Sequence, residues 1–132
     1  MRRTAALSGM LLAGLLALSG SAGAGTNSAS VEIAYLLNAV EQGDCRFLRN
    51  GSWYSAHAAA DHLRAKYQLK SAAGVIASAE EFIAKVASRS SFSGEAYEVQ
   101  CAGRRQEPSA AWLSERLREY RQRLSPDATH HT

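Results

Sequence analysis

CRFLRNGSWYSAHAAADHLRAKY, residues Cys45 to Tyr67, is the stretch whose reading decides the fold. Asn50-Gly51 lies between two short apolar-rich runs, and a two-residue type I′ turn needs positive φ at both central positions. The dipeptide therefore predicts a β-hairpin. A two-residue loop pairs Arg49 with Ser52, Leu48 with Trp53 and Phe47 with Tyr54. Side chains alternate across a strand, so Cys45, Phe47 and Tyr54 share one face while Leu48 and Trp53 share the other. Ser55 then caps a helix on which Ala56, Ala59, Ala60, Leu63 and Tyr67 fall within a stripe about 100° wide. Three alanines on that stripe predict close approach of a neighbouring element. His57, Asp61 and Arg64 lie along one flank of the helix, and His62 and Lys66 lie along the other.

Upstream, Ile33, Leu36, Leu37 and Val40 recur at helical spacing, predicting an amphipathic helix of about 12 residues. Its cap is Ser28 or Ser30, after a flexible leader from Gly25, and Gly43 stops it as a left-handed cap. Downstream, Gln68 to Ala77 reads as a connection containing Gly74, with Val75-Ile76 as an apolar anchor. Ser78 and Glu81 form a capping box for a short helix through Phe82, Ile83 and Val86. Ser88 to Gly94 is a polar turn region, and Tyr97 to Cys101 alternates as a half-buried strand with Tyr97, Val99 and Cys101 on one face. Ala102 to Glu107 reads as a loop. Leu113, Leu117, Tyr120 and Leu124 mark a last helix that ends at Ser125-Pro126, with Glu119 and Arg123 spaced for an i,i+4 pair.

Met1 to Ala24 has two arginines, an apolar run and a small-residue end, the pattern of a cleaved secretory signal peptide. The apolar run is shorter than the ~20 residues a membrane-spanning helix needs, so no transmembrane segment is expected after cleavage. A periplasmic or secreted protein follows. With Arg2 and Arg3 gone, the formal charge of +3 falls to about +1, which removes the charge argument for a nucleic-acid partner. Residues 25–125 suffice for one domain, with 126–132 as a flexible tail. Cys45 and Cys101 are the two cysteines of the chain. In an oxidising compartment they predict one disulfide, which would stabilise the fold by roughly 4 kcal/mol through loop-closure entropy.

FLRNG (Phe47 to Gly51), AADHLRAKY (Ala59 to Tyr67), AEEFIAKVASRSSFSG (Ala79 to Gly94) and Tyr97-Glu98-Val99 resemble the YfeK-like family of small exported bacterial proteins. The resemblance covers about half the mature chain, in matching order. It implies an exported single domain of unknown function and supplies no activity, substrate or catalytic residue.

Candidate chemistry is sparse. His57 and Asp61, about 40° apart around their helix, can share a metal ion, but a site needs a third ligand and His62 is about 140° away. The competing reading is an exposed histidine beside an i,i+4 acid, and no metal or cofactor is expected. Nothing resembles a nucleophile elbow or an S-x-x-K motif for Ser91 or Ser93, and turn capping explains these serines. Ser93-Gly94-x-x-Tyr97 is similar to the short SGxxY motif of periplasmic lysozyme inhibitors, although those are many-stranded barrels. The arginines from Arg104 to Arg123 are interleaved with Glu115 and Glu119 and read as a solvated face. Trp53 either looks outward as an aromatic platform beside Arg49 and Asn50 or packs beneath the first or last helix.

The sequence thus predicts an α+β domain with about four short helices and a small antiparallel sheet made of a hairpin and a third strand. The expected function is non-catalytic binding or a structural role in the bacterial envelope, towards an envelope protein or glycan. The alternative is an envelope hydrolase or a lysozyme-inhibitor-like protein. Arg49, Asn50, Trp53, His57 and Asp61 are the candidate binding residues.

Overall fold

The computed structural model describes residues 22–125 together with Gly14. The predicted signal peptide, Met1 to Ala24, lies almost wholly outside them, and so does the predicted tail after Ser125. Four helices and four strands follow in the order α1 (Ala22–Gln42), β1 (Cys45–Arg49), β2 (Ser52–Ser55), α2 (Ala56–Ala72), α3 (Ala79–Lys85), β3 (Glu98–Cys101), β4 (Glu107–Pro108) and α4 (Ser109–Leu124). This is the predicted α+β class.

The hairpin forms as the Asn-Gly turn requires. Asn50 and Gly51 both take positive φ, at 49° and 80°. Phe47 pairs with Tyr54, Leu48 with Trp53 and Arg49 with Ser52. Strand β1 also pairs antiparallel with β3, placing Cys45 opposite Cys101 and Phe47 opposite Val99. The two cysteines are bonded. The sheet order is β2-β1-β3-β4, entirely antiparallel. The fourth strand departs from the expected loop: Pro108 and Glu107 pair with Glu98 and Val99. Two residues carry no period-2 signal, and a proline is tolerated there because the strand lies at the sheet edge.

The inner face of the sheet is covered by α2 and α4, with α1 packed against α2 and α3 against α4. Ile33, Leu36, Val40, Phe82, Val86, Val99 and Leu113 are all nearly inaccessible. The predicted stripe of α1 is therefore the core stripe. The alanines of α2 do what their size allows: Ala60 is fully buried, and Ala56 and Ala59 pack at the core margin. Both predicted caps form, with Ser55 Oγ accepting from the Ala58 amide and Ser78 Oγ from the Glu81 amide. The Glu81 carboxylate reaches back to the Ala77 amide, one residue before the cap.

Several predicted boundaries are corrected. Helix α1 runs from Ala22 through the expected leader and past Ser28 and Ser30, since a helix already nucleated by packing extends at little cost through small residues. Helix α2 continues to Ala72, well into the expected connection, because Gln68, Leu69 and Lys70 are good helix formers and nothing breaks the helix before Gly74 at φ 74°. Gly43 is not in the left-handed region. Its role is contact: a Cβ there would lie 2.9 Å from the Ala39 carbonyl oxygen and 3.4 Å from Cys45 Sγ. On α4, Leu113 and Leu117 of the predicted stripe are buried, but Leu124 is exposed and Trp112, outside the stripe, is buried. Trp112 meets Phe47 edge-on at 6.0 Å. Glu119 pairs with Arg116 rather than Arg123, which instead lies over the Tyr35 ring.

Replacing Phe82 by alanine should lower unfolding stability by about 3–5 kcal/mol in a denaturant titration. Converting both cysteines to alanine should cost roughly 4 kcal/mol. Trp53→Ala, on the open face of the sheet, should change stability by less than about 0.5 kcal/mol.

Candidate functional site

The five residues singled out from the sequence separate into three places. Trp53 is on the outer face of the sheet, 38% exposed, with the Arg46 guanidinium 4.4 Å from its ring centroid. The reading that packs Trp53 beneath a helix is overturned, because Leu48 and Trp53 sit on the face that no helix covers. Arg46 also donates to the Gln100 side-chain carbonyl at 2.9 Å, so this face is tiled by a cation, an amide and an indole.

His57 and Asp61 lie together on α2, and Glu41 from the end of α1 completes their cluster. His57 Nδ1 is 3.1 Å from Glu41, and its Nε2 is 3.3 Å from Asp61. Glu41 is the third potential metal ligand that the helix alone cannot supply. It is already engaged: Arg64 donates to its two carboxylate oxygens at 2.7 and 3.3 Å. That hydrogen bond, with the Arg64 charge, holds the Glu41 carboxyl below the usual range. A metal ion would have to displace a guanidinium, so the cluster acts chiefly as a clasp between α1 and α2.

Arg49 and Asn50 belong to the third place, on the opposite flank of α2. Strand β1 turns Arg49 toward the helix side of the sheet, over the Tyr54 ring at 4.6 Å. There it meets His62, whose Nδ1 is 2.9 Å from Arg49 Nη1. His62 Nε2 lies 3.2 Å from the Tyr97 hydroxyl. Burial, then the charges of Arg49 and Lys66, hold the His62 imidazole below its ordinary pKa. Arg49 Nη1 is also 3.0 Å from Nε2, and a neutral ring accepts from the guanidinium at one nitrogen while carrying its proton on the other. One turn along α2, Lys66 donates to the Arg89 carbonyl at 2.8 Å and to the Tyr97 hydroxyl at 3.4 Å. Burial, with Lys70 and Arg49 nearby, lowers the Lys66 ammonium to about 8.

The loop that closes this groove is tied to the hairpin. Ser90 Oγ, buried, accepts from the amides of Phe92 and Ser93 and from Asn50 Nδ2. Ser93 Oγ donates to Asn50 Oδ1 at 2.5 Å. Arg49, His62, Lys66, Lys70, Phe92 and Tyr97 line the resulting groove, together with Leu69 and no carboxylate. Among the described residues, none of Arg49, Lys66 and Lys70 forms an ion pair. Each acid within reach of α2's other flank is instead matched to Arg64. Cations converging on one concavity without a carboxylate partner make its potential positive by simple electrostatics. An adjoining pocket of about 40 Å³ is lined by Arg49, His62, Leu113 and Ser109, and the buried Ser109 hydroxyl has no hydrogen-bond partner.

His62, Lys66 and Tyr97 were not among the sequence candidates. The signal was present as spacing, since His62, Lys66 and Leu69 follow one flank at i, i+4 and i+7, but nothing local reveals Tyr97 as their partner. The SGxxY segment has a structural use: Gly94 takes φ 78°, Ser93 is bonded to Asn50, and the Tyr97 ring is buried.

Lys66 is one of the chain's three lysines. Pulsed acetylation followed by mass spectrometry should give a reactivity midpoint near pH 8 at Lys66.

No helix among the described residues is long and apolar enough to cross a membrane. No curated protein and no solved structure matches the chain. A family model does, over residues 27–121, and its description is a family of unknown function (DUF5329). That match carries no YfeK-like name and confirms only the coarser part of the resemblance. The chain belongs to this family of unknown function.

Proposed function

We propose that this protein is an exported, non-catalytic binding protein of the bacterial envelope, and that its groove between the hairpin tip, α2 and the Ser90–Tyr97 loop holds an anionic group. The observation that carries this reading is the convergence of Arg49, Lys66 and Lys70 without a carboxylate partner. Natural surfaces usually neutralise such clusters, and leaving them open is costly through mutual repulsion unless a ligand relieves it. The leader at Met1 to Ala24 and the Cys45–Cys101 bond both suit an exported protein, as does the resemblance to the YfeK-like family. A hydrolase reading has less support, because the Ser93 hydroxyl is engaged with Asn50 and the Glu95 amide. The lysozyme-inhibitor alternative would need Tyr97 at the surface, where it is not.

Sulfate is the useful probe, since its charge is constant from neutral to alkaline pH. Titrated into the mature chain, it should shift the amide resonances of Arg49 and Lys66. Lys66→Gln or Arg49→Gln should weaken binding about tenfold, as expected for loss of one charge-assisted hydrogen bond, whereas Arg105→Gln should leave it unchanged. Affinity should fall as pH rises through about 8, because Lys66 loses its proton there. The absence of groove shifts, or an equal loss in the Arg105 variant, would remove this reading.

A further inference from the structure

The groove carries more than charge. Phe92 is 96% exposed and Leu69 75% exposed, the two most exposed large apolar side chains among the described residues. Both line the groove that holds Arg49, Lys66 and Lys70. Phe92 sits at the tip of the loop anchored by Ser90, and Leu69 is one position from Lys70 on the last turns of α2. Neither residue has a packing role within the chain. A free inorganic anion would engage the cations and leave this apolar pair in water, so the anion reading alone does not account for them.

We propose that the groove is a docking surface for an anionic lipid bilayer. Phosphate-bearing headgroups contact Arg49, Lys66 and Lys70, while Phe92 and Leu69 enter the interfacial layer. The inference rests on the anion-binding reading and names the source of the anion. Charge complementarity favours this occupant, since the groove offers cations and no acid. Long lysine stems lie along apolar surface while their ammonium groups reach for phosphate, which suits the boundary between headgroup and acyl chain. The mature chain has a charge of only about +1, so the attraction is local to this face rather than a property of the whole protein. A helix that crosses the bilayer is not required for such attachment.

The test is co-sedimentation of the mature chain with vesicles of phosphatidylcholine, with and without phosphatidylglycerol. Binding is expected only where phosphatidylglycerol is present, and it should fall about tenfold in Phe92→Ser and again in Lys66→Gln. Phe92→Ser should keep the wild-type melting temperature and sulfate affinity, which separates loss of insertion from loss of fold or of the anion site. Sulfate binding without any vesicle partition would overturn the lipid inference and leave a soluble anion or an acidic protein as occupant. Partition that is unaffected by Phe92→Ser would overturn it as well. Loss of both sulfate and vesicle binding in the unmodified chain would remove the underlying anion reading together with the inference.

Discussion

The register of strand β1 is the constraint on which the rest of the molecule depends. It is paired on both sides, with β2 through a two-residue turn and with β3 through the Cys45–Cys101 bond. A slip of one residue would exchange its two faces. Phe47 would leave its place against Trp112 and Val99, Leu48 would enter the core, and Arg49 would swing out of the groove. The turn fixes register from one end and the disulfide from the other, so the core and the candidate site share a single determinant. That is why a hydrophobic packing decision at Phe47 also decides where the Arg49 guanidinium lies two residues later.

Helix α2 divides its environment by charge. On the flank facing α1, Arg64 is matched to Glu41 and Asp61, and His57 joins the same acids, giving a neutralised clasp. On the other flank, His62 meets Arg49 and the Tyr97 hydroxyl, Lys66 donates to the same hydroxyl, and Lys70 lines the same groove. Burial of the core stripe between the flanks keeps the two sets apart. A similar division operates at the other end of the molecule, where Arg121 bridges Glu32 of α1 and Glu80 of α3. Arg123 of the same helix reaches Tyr35 of α1, so these two arginines tie α4 to its neighbours. The groove stands out because its cations have not been used in that way.

What could be read from the residues was what short-range periodicity and local caps determine. The hairpin register, the core stripe of α1, the Ser55 and Ser78 caps and the disulfide each follow from residues within one element or from the pairing of two cysteines. What could not be read depends on which elements meet. Glu41 lies well before His57 in the chain, and Tyr97 well after His62, and no spacing rule joins them. Trp112, outside the predicted stripe, is buried against Phe47 of the sheet, and Leu124, in phase with the stripe, is exposed at the last residue of α4. Gly43 was assigned a conformational reason when its actual reason is the proximity of a carbonyl and a sulfur. The candidate site was legible in part: Arg49 and Asn50 were identified, but Trp53, His57 and Asp61 were grouped with them by sequence proximity, and the pleat and the helix turn send them elsewhere.

The buried Ser90 hydroxyl has a consequence for how the loop behaves as a presenting surface. Its hydrogen bonds, with those of Asn50 and Ser93, make the loop and the hairpin tip a single mechanical piece. Exposed apolar side chains on slack loops lose conformational freedom when they are captured, and that loss subtracts from affinity. Here the backbone under Phe92 is already ordered by the hairpin that sets the core. Contact at the tip therefore costs the ordering of little more than one ring, and mechanical load on that ring is transmitted directly to the strand bearing Arg49.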